Sequence, residues 1–98
     1  MVIVTGSVLA RPETADEIRA LSLTHVHRSR KEPGCISHDV HIDVENPHRF
    51  VFVERWRDMA ALRVHFLVPE SRTFSKAVSA LAAERPVMEI LDGELVTP

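Results

Sequence analysis

A stretch of strictly alternating residues in the middle of the chain limits most strongly what the chain can fold into. Apolar residues and one histidine share one face of this stretch: Ile36, His38, Val40, Ile42 and Val44. Polar residues occupy the positions between them, and a period of two is that of a β-strand. Residues 45–49 carry turn-forming types, and residues 50–57 resume an apolar strand pattern. The two segments together predict a β-hairpin.

One strand and one helix are predicted before the hairpin. Residues 2–9 form a short segment rich in β-branched types, which favours a strand. Thr14, followed three residues later by Glu17, matches a capping box, so we expect a helix to begin there. Basic residues crowd the last turns of this helix, and Pro33 with Gly34 is predicted to end it.

Two more helices and one strand are predicted after the hairpin. Asp58 is suited to cap a short helix that extends through Leu67, and Pro69 interrupts this helix. Apolar residues then recur at helical spacing, which predicts a further helix up to about Glu84. Residues 87–96 predict the last strand.

The order of these elements, β-α-β-β-α-β, predicts a ferredoxin-like α+β sandwich in which four antiparallel strands carry the helices on one face. The chain has the length of a single domain, residues 1–98. Val51 and Val53 would point away from the helices, to a face that is normally polar. An apolar second face predicts a partner, so we expect a homodimer whose two sheets close on each other.

Composition excludes several classes of function. Its 12 basic and 14 acidic residues leave a net charge of −2 and no run of one sign, so nothing indicates binding to nucleic acid or to an anionic membrane. No apolar stretch approaches the ~20 residues that span a bilayer, and the N-terminus lacks the pattern of a signal peptide. Cys35 is the single cysteine and cannot form an intramolecular disulfide, which fits the reducing cytoplasm.

Four segments, taken in order, make the chain similar to the antibiotic biosynthesis monooxygenase family along nearly its whole length. They are Glu32–Cys35, Glu54–Asp58, Ala60–Phe66 and Val68–Glu70. The resemblance implies a ferredoxin-like domain that forms a dimeric α+β barrel. Some members of that family oxidise anthrones or quinols with molecular oxygen and use no flavin, haem or metal. Related branches degrade haem or rearrange a signalling molecule, and many members have no assigned activity.

The chain departs from that family at two positions. The haem-degrading branch uses an asparagine on the first strand together with the tryptophan and the histidine, but this chain offers Gly6 and Ser7 in that neighbourhood. The chain therefore lacks a residue that the haem-degrading branch uses. Many relatives have a tyrosine on the second strand where this chain has His38, which removes a phenol and places an imidazole on the same face as Val40.

Trp56 and His65 are the candidate catalytic residues. The Trp56 ring either stacks on a planar aromatic substrate while its N–H donates a hydrogen bond, or it is a core residue beneath the helices. His65 lies at the edge of the buried face of its helix. An imidazole, with an ordinary pKa of about 6.5, can accept a proton from a phenol or stabilise the resulting oxyanion there. A capping or surface histidine is the alternative for His65.

Four more residues are candidates for substrate binding: His25, His38, Phe52 and Phe66. His25 lies in the middle of the apolar face of the first helix, so it either lines a cavity opposite Trp56 or is a satisfied core group. The same two interpretations apply to His38 on its strand.

The spacing of the six histidines argues against a metal site. His25 and His27 diverge on their helix, and His38 and His41 point to opposite faces of their strand. No carboxylate or cysteine completes a set at ligand spacing, so we expect no metal. The family resemblance implies that no other cofactor is used.

Two further residues are expected to be structural. Glu54 is expected to pair with an arginine such as Arg55, Arg57 or Arg49. Cys35 has no base placed near it by the sequence, so we expect a small packed residue rather than a nucleophile.

The family resemblance, together with Trp56 and His65, therefore leads us to expect a cofactor-independent monooxygenase that acts on an electron-rich aromatic such as a hydroquinone or an anthrone. In this hypothesis His65, with help from His25 or His38, favours the phenolate, which passes an electron to oxygen before the radical pair recombines. Two alternatives stay open. One is a non-catalytic dimeric module that binds a small aromatic or supports stress tolerance, and the other is an isomerase of a small oxygenated metabolite.

Overall fold

A four-stranded antiparallel sheet and three helices make up the protein, whose computed structural model describes residues 1–98. The strands are β1 (Val2–Leu9), β2 (Cys35–Asp43), β3 (Asn46–Trp56) and β4 (Val87–Asp92). The helices are α1 (Ala15–Ser29), α2 (Met59–Leu67) and α3 (Pro69–Leu81). The strand order in the sheet is β2-β3-β1-β4, so the predicted ferredoxin-like α+β sandwich is confirmed. None of the helices has the length and hydropathy needed to span a membrane.

A β-bulge near the start of β2 decides which side chains of this strand face the helices. Cys35 and Ser37 pair with consecutive residues of β3, so Ile36 is the extra residue. The predicted alternation is therefore wrong at its first position, since Ile36 is 57% exposed. It is also wrong at its last position, because Val44 lies in the turn after β2 and is 99% exposed. From Ser37 to Ile42 the pairing is regular, and His38 lies opposite Glu54 on the buried face of the sheet.

The hairpin turn between β2 and β3 is tighter than the sequence predicts. The predicted turn covers residues 45–49, but β3 already begins at Asn46, which pairs with Asp43. The Asp43 carboxylate accepts a hydrogen bond from the Glu45 N–H at 2.9 Å. This side-chain bond closes the turn early and adds length to β3.

The helix ends confirm one predicted cap and correct another. Asp58 accepts a hydrogen bond from the first turn of α2 at 2.9 Å, as predicted for an N-cap. Thr14 makes no such bond in α1, so the predicted capping box is wrong. Its hydroxyl instead donates to the Leu81 carbonyl at 2.8 Å and ties the start of α1 to the end of α3. Both α3 and β4 are shorter than predicted, since they end at Leu81 and Asp92.

Two apolar clusters fill the space between the sheet and the helices. The first consists of Val8, Ala10, Ile18, Val26, Phe50, Phe52 and Val78. The second consists of Val2, Val4, Trp56, Ala61 and Leu62. Four buried polar side chains lie where the two clusters meet: His25, His38, Glu54 and His65. Burying such groups costs free energy unless they find partners, so their presence in the core calls for a specific reason.

Gly34, in the turn before β2, provides a test of the fold. It is the one residue with a positive φ, 82°, and a Cβ built there would lie 2.5 Å from the Ala61 Cβ of α2. We expect Gly34→Ala to lower the free energy of unfolding by roughly 2–4 kcal/mol, because the steric clash adds to the strain of a left-handed backbone. Urea denaturation measures this change. Gly93→Ala is the control, since nothing lies within 4 Å of its added Cβ. A Gly34→Ala protein as stable as the control would contradict the prediction.

Candidate active site

A cavity of about 590 Å³ lies between α3 and the strands β1, β3 and β4. Its inner wall consists of buried and half-buried side chains: His25, Phe52, Glu54, His65, Phe66 and Phe74. Its mouth consists of exposed polar and basic side chains: Arg72, Ser75, Lys76, Ser79 and Arg85. A cavity of this volume, with aromatic walls and a few polar groups, has the character of a small-molecule site.

Three histidines from three different elements converge beside this cavity. His25 comes from α1, His38 from β2 and His65 from α2, and all three are buried. Their ring centroids lie 5.2 to 5.5 Å from one another. Spacing along the sequence reports only which residues of one helix or strand share a face. The convergence of the three histidines was therefore not predicted, because it results from the packing of the helices on the sheet.

Glu32 fixes the orientation and the tautomer of His65. Its two carboxylate oxygens lie 3.0 and 3.1 Å from the His65 Nδ1. Since a carboxylate only accepts, the Nδ1–H donates, and the neutral ring keeps its free lone pair on Nε2. Burial lowers the pKa of His65, although Glu32 opposes this shift. His65 is therefore a neutral base at neutral pH.

Arg28 fixes the opposite tautomer in His25. A guanidinium only donates, and the Arg28 Nη2 lies 2.8 Å from the His25 Nδ1 and 2.9 Å from the Ser71 Oγ. The proton of the neutral His25 ring is therefore on Nε2. Burial, followed by the neighbouring His38, His65 and Arg28, lowers the pKa of His25 to about 3. The ring stacks on Phe74 with a centroid distance of 4.0 Å and an interplanar angle of 4°, which holds it in place.

The two rings consequently offer complementary groups to the cavity. Nε2 of each ring has no hydrogen-bond partner in the protein and is not fully enclosed. His65 presents a lone pair, and His25 presents an N–H. A hydroxyl group placed between them would donate its proton to His65 and accept a hydrogen bond from His25. Such a pair is suited to remove a proton from a hydroxyl and to stabilise the oxyanion that results.

Glu54 lies at the inner end of the cavity and carries a negative charge. Its Oε1 accepts a hydrogen bond from the Trp56 Nε1–H at 2.9 Å and lies 3.3 Å from the His38 Nε2. Burial on its own would raise the pKa of Glu54, but His38 and the Trp56 N–H outweigh it, and the pKa is lowered. The predicted pairing of Glu54 with an arginine is wrong, because the side chain points to the buried face of β3.

His38 does not line the cavity. It is fully buried, and the rings of His25 and Trp56 meet it edge-on at centroid distances of 5.2 and 6.2 Å. Its contact with Glu54 is short enough for an ion pair but lacks the direction of a hydrogen bond, and neither ring nitrogen has a hydrogen-bond partner. His38 thus acts on the cavity from beneath, through the charge of Glu54 and through its contacts with the rings of His25 and His65.

Trp56 lies beneath the cavity rather than in its wall. Its side chain is 0% exposed and packs under His65 with a centroid distance of 4.6 Å. Its N–H is occupied by Glu54. The surface that the sequence predicts for stacking on a substrate is therefore not open to the cavity, because neighbouring core residues enclose the ring.

The structure brings most of the predicted site residues together and adds others. The four that line the cavity are His25, Phe52, His65 and Phe66, while His38 and Trp56 lie directly beneath it. Sequence reasoning missed Arg28, Glu32 and Phe74. Arg28 carried a signal, since it follows His25 by three positions on one helix and so shares its face. No sequence pattern indicated the role of Glu32, because its partner His65 is distant in the chain.

The three histidines also define the group most suited to hold a metal ion. One nitrogen from each ring lies within 4.8 Å of the others. Histidines that bind zinc place each nitrogen about 2.0–2.1 Å from the ion, hence about 3.3 Å from one another. The rings would have to move closer, and His25 already accepts a hydrogen bond from the positively charged Arg28. The geometry thus favours a hydrogen-bonding role for this cluster, and the absence of a cofactor stays a prediction.

Cys35 does not contribute a nucleophile to this site. Burial, with added repulsion from the Glu32 and Glu54 carboxylates, raises the pKa of the Cys35 thiol to about 11. The thiol is therefore protonated at neutral pH and unreactive. It packs against the apolar cluster that contains Trp56.

The chain is similar in sequence to known proteins. The profile of the Antibiotic biosynthesis monooxygenase family matches residues 1–77. The chain is 36% identical over 89 residues to the uncharacterized protein sll1783 of Synechocystis sp., which covers 91% of this chain and 60% of that protein. It therefore spans about 60% of the length of this relative. It is 29% identical over 65 residues to the Bacillus subtilis protein named "Putative monooxygenase YcnE", which covers 66% of this chain and 68% of that protein.

The fold is similar to solved structures as well. The crystal structure of an antibiotic biosynthesis monooxygenase superimposes with a TM-score of 0.89 at 27% sequence identity. The superposition covers 97% of this chain and 100% of that chain. The arrangement of strands and helices around the cavity is therefore shared over almost the whole length.

Acidification is expected to destabilise the protein through His25. Its pKa of about 3 in the folded protein lies below the ordinary value of 6.5, so between these values the unfolded chain binds a proton that the folded protein does not. Stability in this window therefore falls as the pH falls. Between pH 7 and 5, where carboxylates stay ionised, we expect His25 to account for a loss of about 1–2 kcal/mol in the free energy of unfolding.

Urea denaturation at the two pH values measures this loss. His25→Gln should reduce it, because the amide can still accept a hydrogen bond from Arg28 but does not titrate. His27→Gln, at an exposed position of the same helix, should leave the loss unchanged. If His25→Gln and the parent lose equal stability on acidification, His25 is not buried in its neutral form.

Proposed function

The chain belongs to the antibiotic biosynthesis monooxygenase family, and on this basis we propose that it oxidises an electron-rich hydroxyaromatic compound with molecular oxygen. Quinols and anthrone-type phenols are the proposed substrates, and the proposed reaction uses no flavin, haem or metal. The observation that carries the proposal is the pair of buried histidines, His25 and His65, which present an N–H and a lone pair to the same cavity.

The walls of the cavity support an aromatic substrate. Phe52, Phe66 and Phe74 line it, and Phe74 is held between the stacked ring of His25 and the edge of Phe52. Aromatic side chains bury large apolar area and contact planar rings favourably. They also keep water away from the hydroxyl group, which strengthens its interactions with the two histidines.

The first proposed step is removal of the hydroxyl proton. The substrate O–H donates to the His65 Nε2, which takes the proton while Glu32 stabilises the imidazolium through Nδ1. The oxygen left behind accepts a hydrogen bond from the His25 Nε2–H. The negative charge of Glu54 raises the pKa of His65 and so makes it a stronger base.

The second proposed step is the reaction with oxygen. The anion, delocalised over the ring, transfers one electron to dioxygen, which becomes superoxide. The substrate radical and superoxide combine to form a carbon–oxygen bond, and the peroxide anion takes back the proton held by His65. Loss of water from the hydroperoxide then leaves a carbonyl at that carbon, so one oxygen atom enters the product and the other leaves as water. Orientation and stabilisation of the anion are the contributions of the protein.

Trp56 is a positioning residue in this proposal. Its ring supports His65 from below, and its N–H orients Glu54. Loss of the ring would leave a void beneath His65 and free the carboxylate to rotate. We therefore assign Trp56 an effect on catalysis through its two neighbours, and His38 an effect through Glu54 and the adjacent rings of His25 and His65.

The uncovered face of the sheet supports a homodimer as part of the proposal. The apolar side chains on that face are Ile3, Leu9, Val51, Val53, Val87 and Leu91. Val87 and Leu91 of the edge strand β4 are 60% and 52% exposed. Apolar side chains on a face without helices are typical of a surface that a second sheet covers.

The proposed cellular compartment is the cytoplasm. Cys35 is a free thiol, and the chain has no second cysteine with which it could form a disulfide. A protein with one cysteine and no disulfide is typical of a reducing compartment.

Oxygen uptake by purified, metal-stripped protein tests the proposed reaction. With a panel of quinols and anthrones in an oxygen electrode, we expect uptake above the rate of autoxidation. His65→Ala should lower the enzymatic rate by roughly 100-fold or more, because it removes the base. Trp56→Ala should lower the rate less, and His27→Gln, at an exposed position of α1, should leave it unchanged.

The other outcomes of this experiment discriminate the alternatives. No uptake beyond autoxidation, with His65→Ala equal to the parent, would contradict the monooxygenase. Product formation without oxygen uptake would indicate an isomerase. Tight binding of an aromatic without turnover would indicate a non-catalytic binding module.

Sedimentation tests the proposed homodimer. We expect the parent to sediment as a dimer at micromolar concentration. Val53→Lys, which places a charge on the uncovered face, should produce monomers that keep the circular dichroism of the parent. Leu23→Lys, at an exposed position of α1, is the control and should leave the dimer intact. A parent that sediments as a stable monomer would contradict the proposal.

A further inference from the structure

Three basic side chains at the mouth of the cavity have no acidic partner. Arg72 and Lys76 project from α3, and Arg85 projects from the loop that follows it; all three are exposed. None of them makes an ion pair, whereas four other arginines of the chain each lie within ion-pair distance of a carboxylate. Five further basic side chains also lack a carboxylate partner, namely Arg19, Arg28, Lys31, Arg55 and Arg63, but none of them lines the cavity. The feature of the three at the mouth is that their unpaired positive charge is concentrated at one opening.

The spacing of α3 directs this charge at the cavity. Arg72, Ser75, Lys76 and Ser79 follow one another at i, i+3, i+4 and i+7, so they share one face of the helix, and all four line the cavity. Glu70 lies on a different face, beside a groove between α1 and α3. The helix therefore separates its charges and presents only the positive ones to the opening.

The opposite end of the cavity carries the opposite charge. Glu54 is the one acidic residue that lines the cavity, and it is 5% exposed, in contrast to the exposed cations. Its Oε1 contacts Trp56 and His38, while Oε2 has no partner in the protein. The cavity is thus electrically polarised, with a positive mouth and a negative inner end.

We propose that the ligand of this cavity carries an ionised oxyanion, such as a carboxylate, that Arg72, Lys76 and Arg85 bind at the mouth. The anionic group lies at the end of the molecule opposite the hydroxyl that reaches His25 and His65. The identity of that reacting hydroxyl rests on the proposed function, but the position of the anionic group does not. The polarity of the cavity selects one orientation, since the reverse orientation would bring the oxyanion against Glu54.

Each of the three interactions at the mouth is weak taken singly, because exposed ion pairs are solvated and screened. Together they are expected to raise the affinity for an anionic ligand by about tenfold over a neutral ligand of equal shape. The advantage should shrink as the salt concentration rises. The three cations should also speed association by attracting the anion to the opening.

Calorimetric binding of matched naphthalene compounds tests the positive mouth. The probes are 6-hydroxy-2-naphthoic acid and its neutral amide, which differ only in the charge at the end remote from the hydroxyl. We expect the acid to bind the parent protein about tenfold more tightly at low salt, and the two to converge at high salt. Equal affinities for acid and amide at low salt would overturn the proposal.

A matched pair of triple variants assigns the effect to these residues. The variant Arg72→Gln, Lys76→Gln, Arg85→Gln should lose the preference for the acid. The control variant Arg19→Gln, Lys31→Gln, Arg63→Gln removes the same charge from exposed positions outside the cavity and should keep the preference. Equal loss in both variants would overturn the proposal, because it would show an effect of net charge alone.

The negative inner end has its own probe, 2,6-naphthalenedicarboxylate, which carries an anion at both ends. The parent should bind this compound at least about tenfold more weakly than 6-hydroxy-2-naphthoate. Glu54→Gln should reduce this difference in affinity between the two compounds. The amide oxygen of glutamine can still accept the Trp56 N–H, so the fold is retained, as circular dichroism verifies. A dicarboxylate that binds the parent as well as the hydroxy acid would overturn the predicted orientation.

The binding and oxygen-uptake experiments distinguish a failure of the proposed anion binding from a failure of the proposed oxidation. A preference for the acid without any oxygen uptake supports the charged mouth and contradicts the proposed oxidation. Oxygen uptake from quinols without any preference for the acid contradicts the charged mouth and leaves the proposed oxidation supported.

Discussion

The hydrogen bonds between Glu32 and His65 are the interaction on which the rest of the site depends. They join the turn before β2 to α2, and they place the ring proton on Nδ1, so the lone pair of Nε2 remains for the cavity. The turn itself requires Gly34, because a side chain there would meet Ala61. The same close approach of turn and helix therefore packs the fold and orients the proposed base.

The chemistry of the cavity follows from the protonation states that burial imposes. His25 and His65 are both held neutral, while Glu54 keeps its charge because Trp56 and His38 are beside it. Two neutral histidines with opposite tautomers provide a donor and an acceptor without a charge of their own. This arrangement costs stability, since polar groups occupy the space between two apolar clusters, and it is tolerated because Arg28, Glu32 and Trp56 supply hydrogen bonds.

The sequence predicted the fold better than the site, for physical reasons that particular residues illustrate. Strand and helix periods report burial on one face, so the order of elements and the Asp58 cap were predictable from local patterns. The bulge at Ile36 was not predictable, because an extra residue in a strand leaves the local pattern of residue types unchanged. The partners of His65 and Glu54 were also not predictable, since contacts between distant segments depend on how the helices pack on the sheet.

The opposite tautomers of His25 and His65 are the central claim, and nitrogen-15 NMR of the imidazole rings at pH 7.5 tests it most directly. The Nδ1 and Nε2 chemical shifts distinguish a protonated ring nitrogen from a bare one, and His25→Gln and His65→Gln assign the signals. We predict a neutral His65 with its proton on Nδ1 and a neutral His25 with its proton on Nε2. Two rings with the same tautomer, or an imidazolium at either position, would contradict it.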